Sequence, residues 1–191
     1  MKKLSTYLFL FLFSFSAPSF ADDIRDFEIE GVTIGDSLLD YMSEEEIKEN
    51  VGFVYTDKKF TLTVYKKSSE LYDMGVGIEY KSNDETYKIY GVQGRVNFEN
   101  DIEGCYKKQD EIEKDISSMF QKSKIKKFAI SPTRYEDGST YKQTQFHVDS
   151  GGSLSVECMY FPNNQKRSHL KVNITSIELQ NYLINLGRGD M

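Results

Sequence analysis

The stretch from Phe146 to Phe161, FHVDSGGSLSVECMYF, holds two alternating runs around a glycine pair. Phe146 and Val148 flank His147, while Leu154, Val156 and Cys158 alternate with Ser153, Ser155 and Glu157. A period of two puts each set on its own face of a strand, so the stretch reads as a β-hairpin with one apolar and one polar face. Directly opposed residues share a face. A two-residue Gly-Gly turn would set Val148 against Ser155, so the pattern predicts a three-residue Ser150-Gly151-Gly152 loop. That register sets Val148 against Leu154 and His147 against Ser155.

Working outward, the same alternation recurs in FTLTVYK (60–66), LYDMGVGIEYK (71–81), YKIYGVQGRVNFE (87–99), YKQTQFHVD (141–149) and HLKVNITS (169–176). Phe60, Leu62 and Val64 share one face, as do Tyr72, Met74, Val76 and Ile78. Between the strand sets lies a run with helical spacing. Asn100 or Asp101 caps it, and Cys105, Ile112, Ile116, Met119 and Phe120 fall on one stripe. Glu103 with Lys107, and Asp110 with Lys114, stand at i,i+4 on its polar side. A first helix is expected over 37–50, with a second start at the capping box Ser43-x-x-Glu46. A last helix is capped by Ser176 and stopped by Gly187. The order predicts an α+β fold: an antiparallel sheet of about six to seven strands in two sets, with three helices packed on one face. The order is also compatible with two duplicated halves.

The chain opens MKKLSTYLFLFLFSFSAPSFADD. Two lysines, an apolar run from Tyr7 to Phe15 and the small residues Ser19 and Ala21 are the three parts of a secretory signal peptide cut after Ala21. The apolar run is well short of the ~20 residues that span a bilayer. The expected mature chain is a single exported domain over 22–191, periplasmic or secreted, without a transmembrane segment. Its formal charge becomes more negative than the −6 of the whole chain, because Lys2 and Lys3 leave with the signal. An acidic chain repels phosphate backbones, which argues against nucleic acid as a partner. Lys122–Lys127, the densest basic run, reads as a solvated turn after a helix, where the dipole favours cations.

Cys105 and Cys158 are the only cysteines. Each sits on the apolar side of its element, and the signal peptide directs the chain to an oxidising compartment, which predicts a Cys105–Cys158 disulfide. The alternative is two buried thiols packed as small apolar residues. Two cysteines are too few for a metal site, and none is expected. His147 and His169, the only histidines, come out about six residues apart along the sheet, roughly 20 Å at 3.3 Å per residue. That excludes a shared proton relay, and each reads as an exposed strand histidine. No Gly-x-Ser-x-Gly, His-Glu-x-x-His or phosphate loop is present. No catalytic residue and no cofactor is expected. Glu79 and Glu157 on outer strand faces could make a carboxylate pair for glycoside chemistry, although any acidic chain yields such pairs by chance.

Two features point to a binding surface. Gly75 and Gly77 alternate with Met74, Val76 and Ile78, leaving bare backbone on one strand face, where something else can approach closely; a bulge or tight helix contact is the alternative. Tyr65 and Tyr141 fall out of phase with the apolar residues of their strands, and tyrosine suits interfaces; ordinary strand surface is the alternative. Asn173-Ile174-Thr175 is a formal glycosylation triplet.

The stretch VTIGDSLLDYMSEEEIKENVG (32–52), with Gly35, the hydroxyl cap Ser37 and a short helix ahead of strands, resembles the opening of the small outer-membrane assembly lipoproteins and the β-lactamase-inhibitor-like domains. The chain has neither their lipid-bearing cysteine nor their Gly-x-Pro stop. The resemblance implies a protein-binding module or inhibitor. The expected function is a non-catalytic accessory module that binds a protein or envelope component. The alternative is a small periplasmic hydrolase with a carboxylate site.

Overall fold

The computed structural model describes residues 23–120, 123–133 and 137–187. The expected signal peptide and its cut after Ala21 lie outside the described residues.

The segment expected as one helix over 37–50 is two short ones, each started by its own serine. Ser37 caps a 3₁₀ turn over Leu38–Asp40, accepting from Leu39 N–H. Ser43 then caps α1 (Glu44–Glu49), and Glu46 completes the box by accepting from the Ser43 N–H at 2.8 Å. A cap orders the backbone to begin a helix, so a second cap six residues after the first ends the earlier one.

A four-strand meander follows: β1 (Val51–Val54), β2 (Phe60–Lys66), β3 (Val76–Lys81) and β4 (Ile89–Asn97). Then come α2 (Ile102–Met119), capped by Asp101, and a second meander: β5 (Lys124–Pro132), β6 (Thr140–His147), β7 (Ser153–Tyr160) and β8 (His169–Thr175). The chain closes on α3 (Ile177–Asn185), capped by Ser176. All eight strands form one antiparallel sheet in the order β1-β2-β3-β4-β8-β7-β6-β5. Each half is thus a helix followed by four strands. The halves join through β4 and β8, so the strand order mirrors itself about that seam.

Two corrections to the sequence reading follow. The strands number eight in one continuous sheet, and the helices do not share one face. α2 covers the face carrying Val76, Ile78, Val92, Val156 and Leu170, together with the segment from Ile24 to Ile47. α3 packs on the opposite face, where Leu179 and Tyr182 join Tyr55, Phe60 and Tyr90 in a second, smaller cluster. Thr61 and Thr63, not Phe60 and Leu62, are the β2 side chains that face the main core, and the Thr63 hydroxyl donates to Ile47 O at 3.0 Å under α1.

The Phe146–Phe161 hairpin forms with a register one loop position earlier than expected. Val148 accepts from Gly151 N–H, and its own N–H donates to Gly152 O. The loop is therefore Asp149-Ser150-Gly151, with Gly151 at φ +92°, and Phe146 faces Leu154 while His147 faces Ser153. This is a type I turn closed by a left-handed glycine. The shift moves each pair by two residues, so every side chain keeps its predicted face.

Cys105 and Cys158 are bonded, with S–S 2.02 Å and Cα atoms 6.0 Å apart, and neither is exposed. The bond staples α2 to β7 inside the main core. The buried stripe of α2 also carries two polar residues, Gln109 and Glu113. The Gln109 amide nitrogen donates to Val156 O at 3.1 Å and Lys142 O at 3.3 Å. Glu113 pairs with Lys127 of β5 at 2.7 Å. Asp110 pairs across to Lys142 at 2.9 Å rather than along its own helix.

Candidate functional site: a groove on the uncovered sheet face

Strand alternation places a polar set on the face away from α2. Across β3, β4, β8, β7 and β6 this set includes Gly77 and Glu79, Gln93 and Arg95, His169 and Lys171, Glu157, and Gln143. α3 covers only one end of this face. What remains is a groove of about 620 Å³ that reaches from Phe53 on β1 to Tyr141 on β6. Its first-half wall is apolar, with Leu62, Val64 and Met74; its far wall holds Met159 and Phe161.

The floor is charged and largely removed from water. Registration aligns Arg95, Lys171, Glu157 and Gln143 in one row across four strands. Lys171 Nζ lies 3.0 Å from Glu157 Oε1, and the Gln143 amide donates to Glu157 Oε2 at 2.9 Å. Gln145 donates in turn to Gln143 Oε1 at 2.8 Å. Burying the Glu157 charge is offset because each of its carboxylate oxygens finds a donor. Glu79 is treated differently. Burial drives its carboxyl above the ordinary carboxylate value, while a Tyr55 hydroxyl donating at 2.5 Å and the nearby Lys171 and Arg95 charges pull the other way.

His169 is buried at 7 % exposure, a correction to the exposed strand histidine expected from the sequence. Its Nδ1–H donates to Arg167 O at 2.6 Å, and its ring stacks on Phe161 with centroids 6.3 Å apart. Burial pushes its pKa down to about 4, so the ring is neutral at pH 7. His147 is half-buried, and burial, with Lys126 and Lys124 beside it, lowers its pKa as well. The two histidines oppose Ser153 and Met159, six positions apart along β7. That is about 20 Å, too far for a shared proton.

The two acids are also apart. Glu79 belongs to the row of Gly91, Thr175 and Ser153, whereas Glu157 lies three strands across and four residues along. With ~4.8 Å between strands and ~3.3 Å per residue, the Cα separation is about 19 Å. Glycoside chemistry uses carboxyl groups roughly 5 to 9.5 Å apart. Among the described residues, no group of three or more His, Cys, Asp and Glu is arranged to hold a metal.

Of the four residues singled out as a binding surface, three line this groove. Gly77 lies in β3 with its bare face over the floor, where a Cβ would meet Leu62 at 3.3 Å. Gly75 precedes β3 at φ +97°, and a Cβ there would strike Lys66 O at 2.7 Å. Tyr141 forms part of the far wall. Tyr65 is on the opposite face, packed edge-on against Tyr41 at 6.1 Å. Asn173 of the glycosylation triplet also lines the groove, where its amide donates to Thr175 Oγ1 at 2.9 Å. Arg95 and Lys171 escaped the sequence reading. Their alternation with Val92, Val96, Leu170 and Val172 assigns them a face, but not that this face is hollow.

No helix among the described residues is long and apolar enough to cross a membrane. Compared with protein-family models, curated proteins and solved structures, the chain matches none of them.

Proposed function

We propose that this protein is an exported, non-catalytic module that binds a protein partner in the groove of its sheet. One observation carries the reading: a sheet face left open by α2 and α3, hollowed across seven strands and floored by buried charge. Six spacings of ~4.8 Å make that groove about 29 Å wide along the sheet. A span of that size exceeds a small metabolite and suits a segment of a folded partner. The disulfide suits an oxidising compartment outside the cytosol. A second reading, a hydrolase, draws on the raised pKa of Glu79, since perturbed carboxyls gather at catalytic sites. The distance to Glu157 and the Tyr55 bond weigh against it.

The test is site-specific photo-cross-linking in the source cell. A photoreactive residue is placed at Val64 or Met159 in the groove, and at Glu111 on the solvent side of α2 as control. The expected outcome is one dominant cross-linked protein from both groove sites and none from the control. Equal labelling from groove and control, or none from either with the protein exported and oxidised, overturns the proposal.

A further inference from the structure

Arg95 stands out among the charged groups of the groove. Lys171 has Glu157, and Lys66 has Glu30 at 2.9 Å. Arg95 is half-buried on β4, yet no carboxylate of the described residues lies within ion-pair distance of it. Its one side-chain hydrogen bond goes to Gln93 Oε1, at 3.2 Å. A guanidinium offers five donors in a planar fork shaped for two carboxylate oxygens.

On the β3 side, the neighbours of Arg95 and Gln93 are Gly75 and Gly77, over which the Lys66 and Lys67 carbonyls and the Leu62 side chain already lie. On the β8 side, Lys171 lies directly opposite Arg95 and is neutralised by Glu157 at 3.0 Å. The His169 ring is close enough for Arg95 and Lys171 to disfavour its protonation, so it adds no charge of its own at neutral pH. Beyond the glycines, the apolar wall of Leu62, Val64 and Met74 begins. A guanidinium with no carboxylate partner among the described residues, beside an apolar wall, on a chain of net charge −6, is a local reversal of the molecule's sign. Such a reversal selects for an acidic group and sets its register.

We infer that the groove's partner is a protein segment that places an Asp or Glu carboxylate against Arg95, with an apolar neighbour on the Leu62–Val64 wall. This rests on the proposal that the groove docks a protein. The Arg95 fork supplies bidentate recognition that a lone lysine would not.

The probe is a random dodecapeptide library displayed on phage and selected on the oxidised mature chain. Enriched peptides are expected to carry Asp or Glu at one position next to an apolar residue. Their affinity is expected to fall about 10- to 100-fold with Arg95→Gln, and equally when the peptide acid becomes its amide. Combining both changes should cost little more than either alone. Arg95→Lys, which keeps charge but not the fork, should fall between, and circular dichroism checks that each variant is folded. Enrichment of peptides indifferent to Arg95 overturns the acid anchor. So does failure to enrich any peptide. The groove cross-links distinguish the two proposals: if they persist in an Arg95→Glu variant, the docking face stands and the acid anchor falls; if no groove cross-link forms in the wild type, both fall.

Discussion

Replacing His169 with phenylalanine isolates one contribution to acid stability. In the folded chain the His169 pKa is pushed down to about 4, from an ordinary 6.5. The unfolded chain therefore takes up the proton more readily than the folded one. A depressed folded pKa contributes stability that is present above the unfolded pKa and is lost as pH falls toward the folded one. The window for this residue runs from about pH 6.5 to pH 4. With those two values, linkage gives a loss of about 2 kcal/mol between pH 7 and pH 5, and about 3 kcal/mol by pH 4. Phenylalanine keeps a ring to stack on Phe161 but cannot titrate. It also forfeits the bond to Arg167 O, a pH-independent cost of about 1 kcal/mol. Urea denaturation of both proteins at pH 7, 6, 5 and 4.5 reads the effect as a difference of differences, in which all other titrating groups cancel. The variant should be less stable than wild type at pH 7 and should close or reverse the gap by pH 5. Parallel stability curves across that range would falsify the argument, because they would mean the ring is protonated as easily in the folded state as in the unfolded.

Three further outcomes follow from other parts of the molecule. Replacing Cys105 and Cys158 together by alanine should cost about 4 kcal/mol by the chain-entropy argument for a 53-residue separation, read as a lower urea midpoint; an unchanged midpoint would show that the unfolded chain is not constrained by the bond. Gly91→Ala should destabilise by about 1 to 3 kcal/mol, because its Cβ would run into Glu79 Oε2 and lie 2.7 Å from Leu179; calorimetry showing a wild-type melting temperature would mean α3 yields freely. Lys171→Met leaves the Glu157 carboxylate buried with Gln143 alone and should cost about 3 kcal/mol at pH 7, while adding Glu157→Gln should restore much of it. A double variant no better than the single would show that the pair's charge is not what matters.

The parts of the fold legible in the sequence are those where burial imposes a period. β2, β3, β4, β6, β7 and β8 each have one buried face, and each was readable as alternation. β1 and β5 were not, because both are sheet edges whose side chains are mostly exposed. An exposed edge has no apolar period to read, and the charges of Lys124, Lys126 and Lys127 are what keep such an edge from pairing with other chains. The same basic run reads equally well as the end of a helix. The cysteine pairing was legible because both residues fall on apolar faces of elements that must pack together. The α3 placement was not: Leu179 and Tyr182 mark an apolar side, and nothing local says which sheet face receives it. The groove was half legible. Gly77 and Tyr141 announced a bare and an aromatic strand face, but Tyr65, chosen by the same rule, belongs to the other side. In β2 the apolar residues Leu62 and Val64 face the groove while Thr61, Thr63 and Tyr65 face the main core, so taking the apolar side for the core side inverts this strand.

The two halves share one plan, yet their groove faces differ in kind. The first contributes Leu62, Val64, Gly77 and Glu79; the second contributes Lys171, Glu157, Gln143 and His169. A helix followed by a four-strand meander requires neither set. A fold selected for stability alone would favour apolar residues at such dehydrated positions, since replacing a buried ion pair with well-packed hydrophobic side chains is often neutral or stabilising. The face under α2 follows that rule, with Val156, Ile174, Leu170 and a disulfide. The open face departs from it at Glu157 and Lys171, and again at Arg95, which has no carboxylate partner among the described residues. Where one surface of a sheet is built for burial and the other keeps costly charge half out of water, the proposed docking role gives that difference a reason.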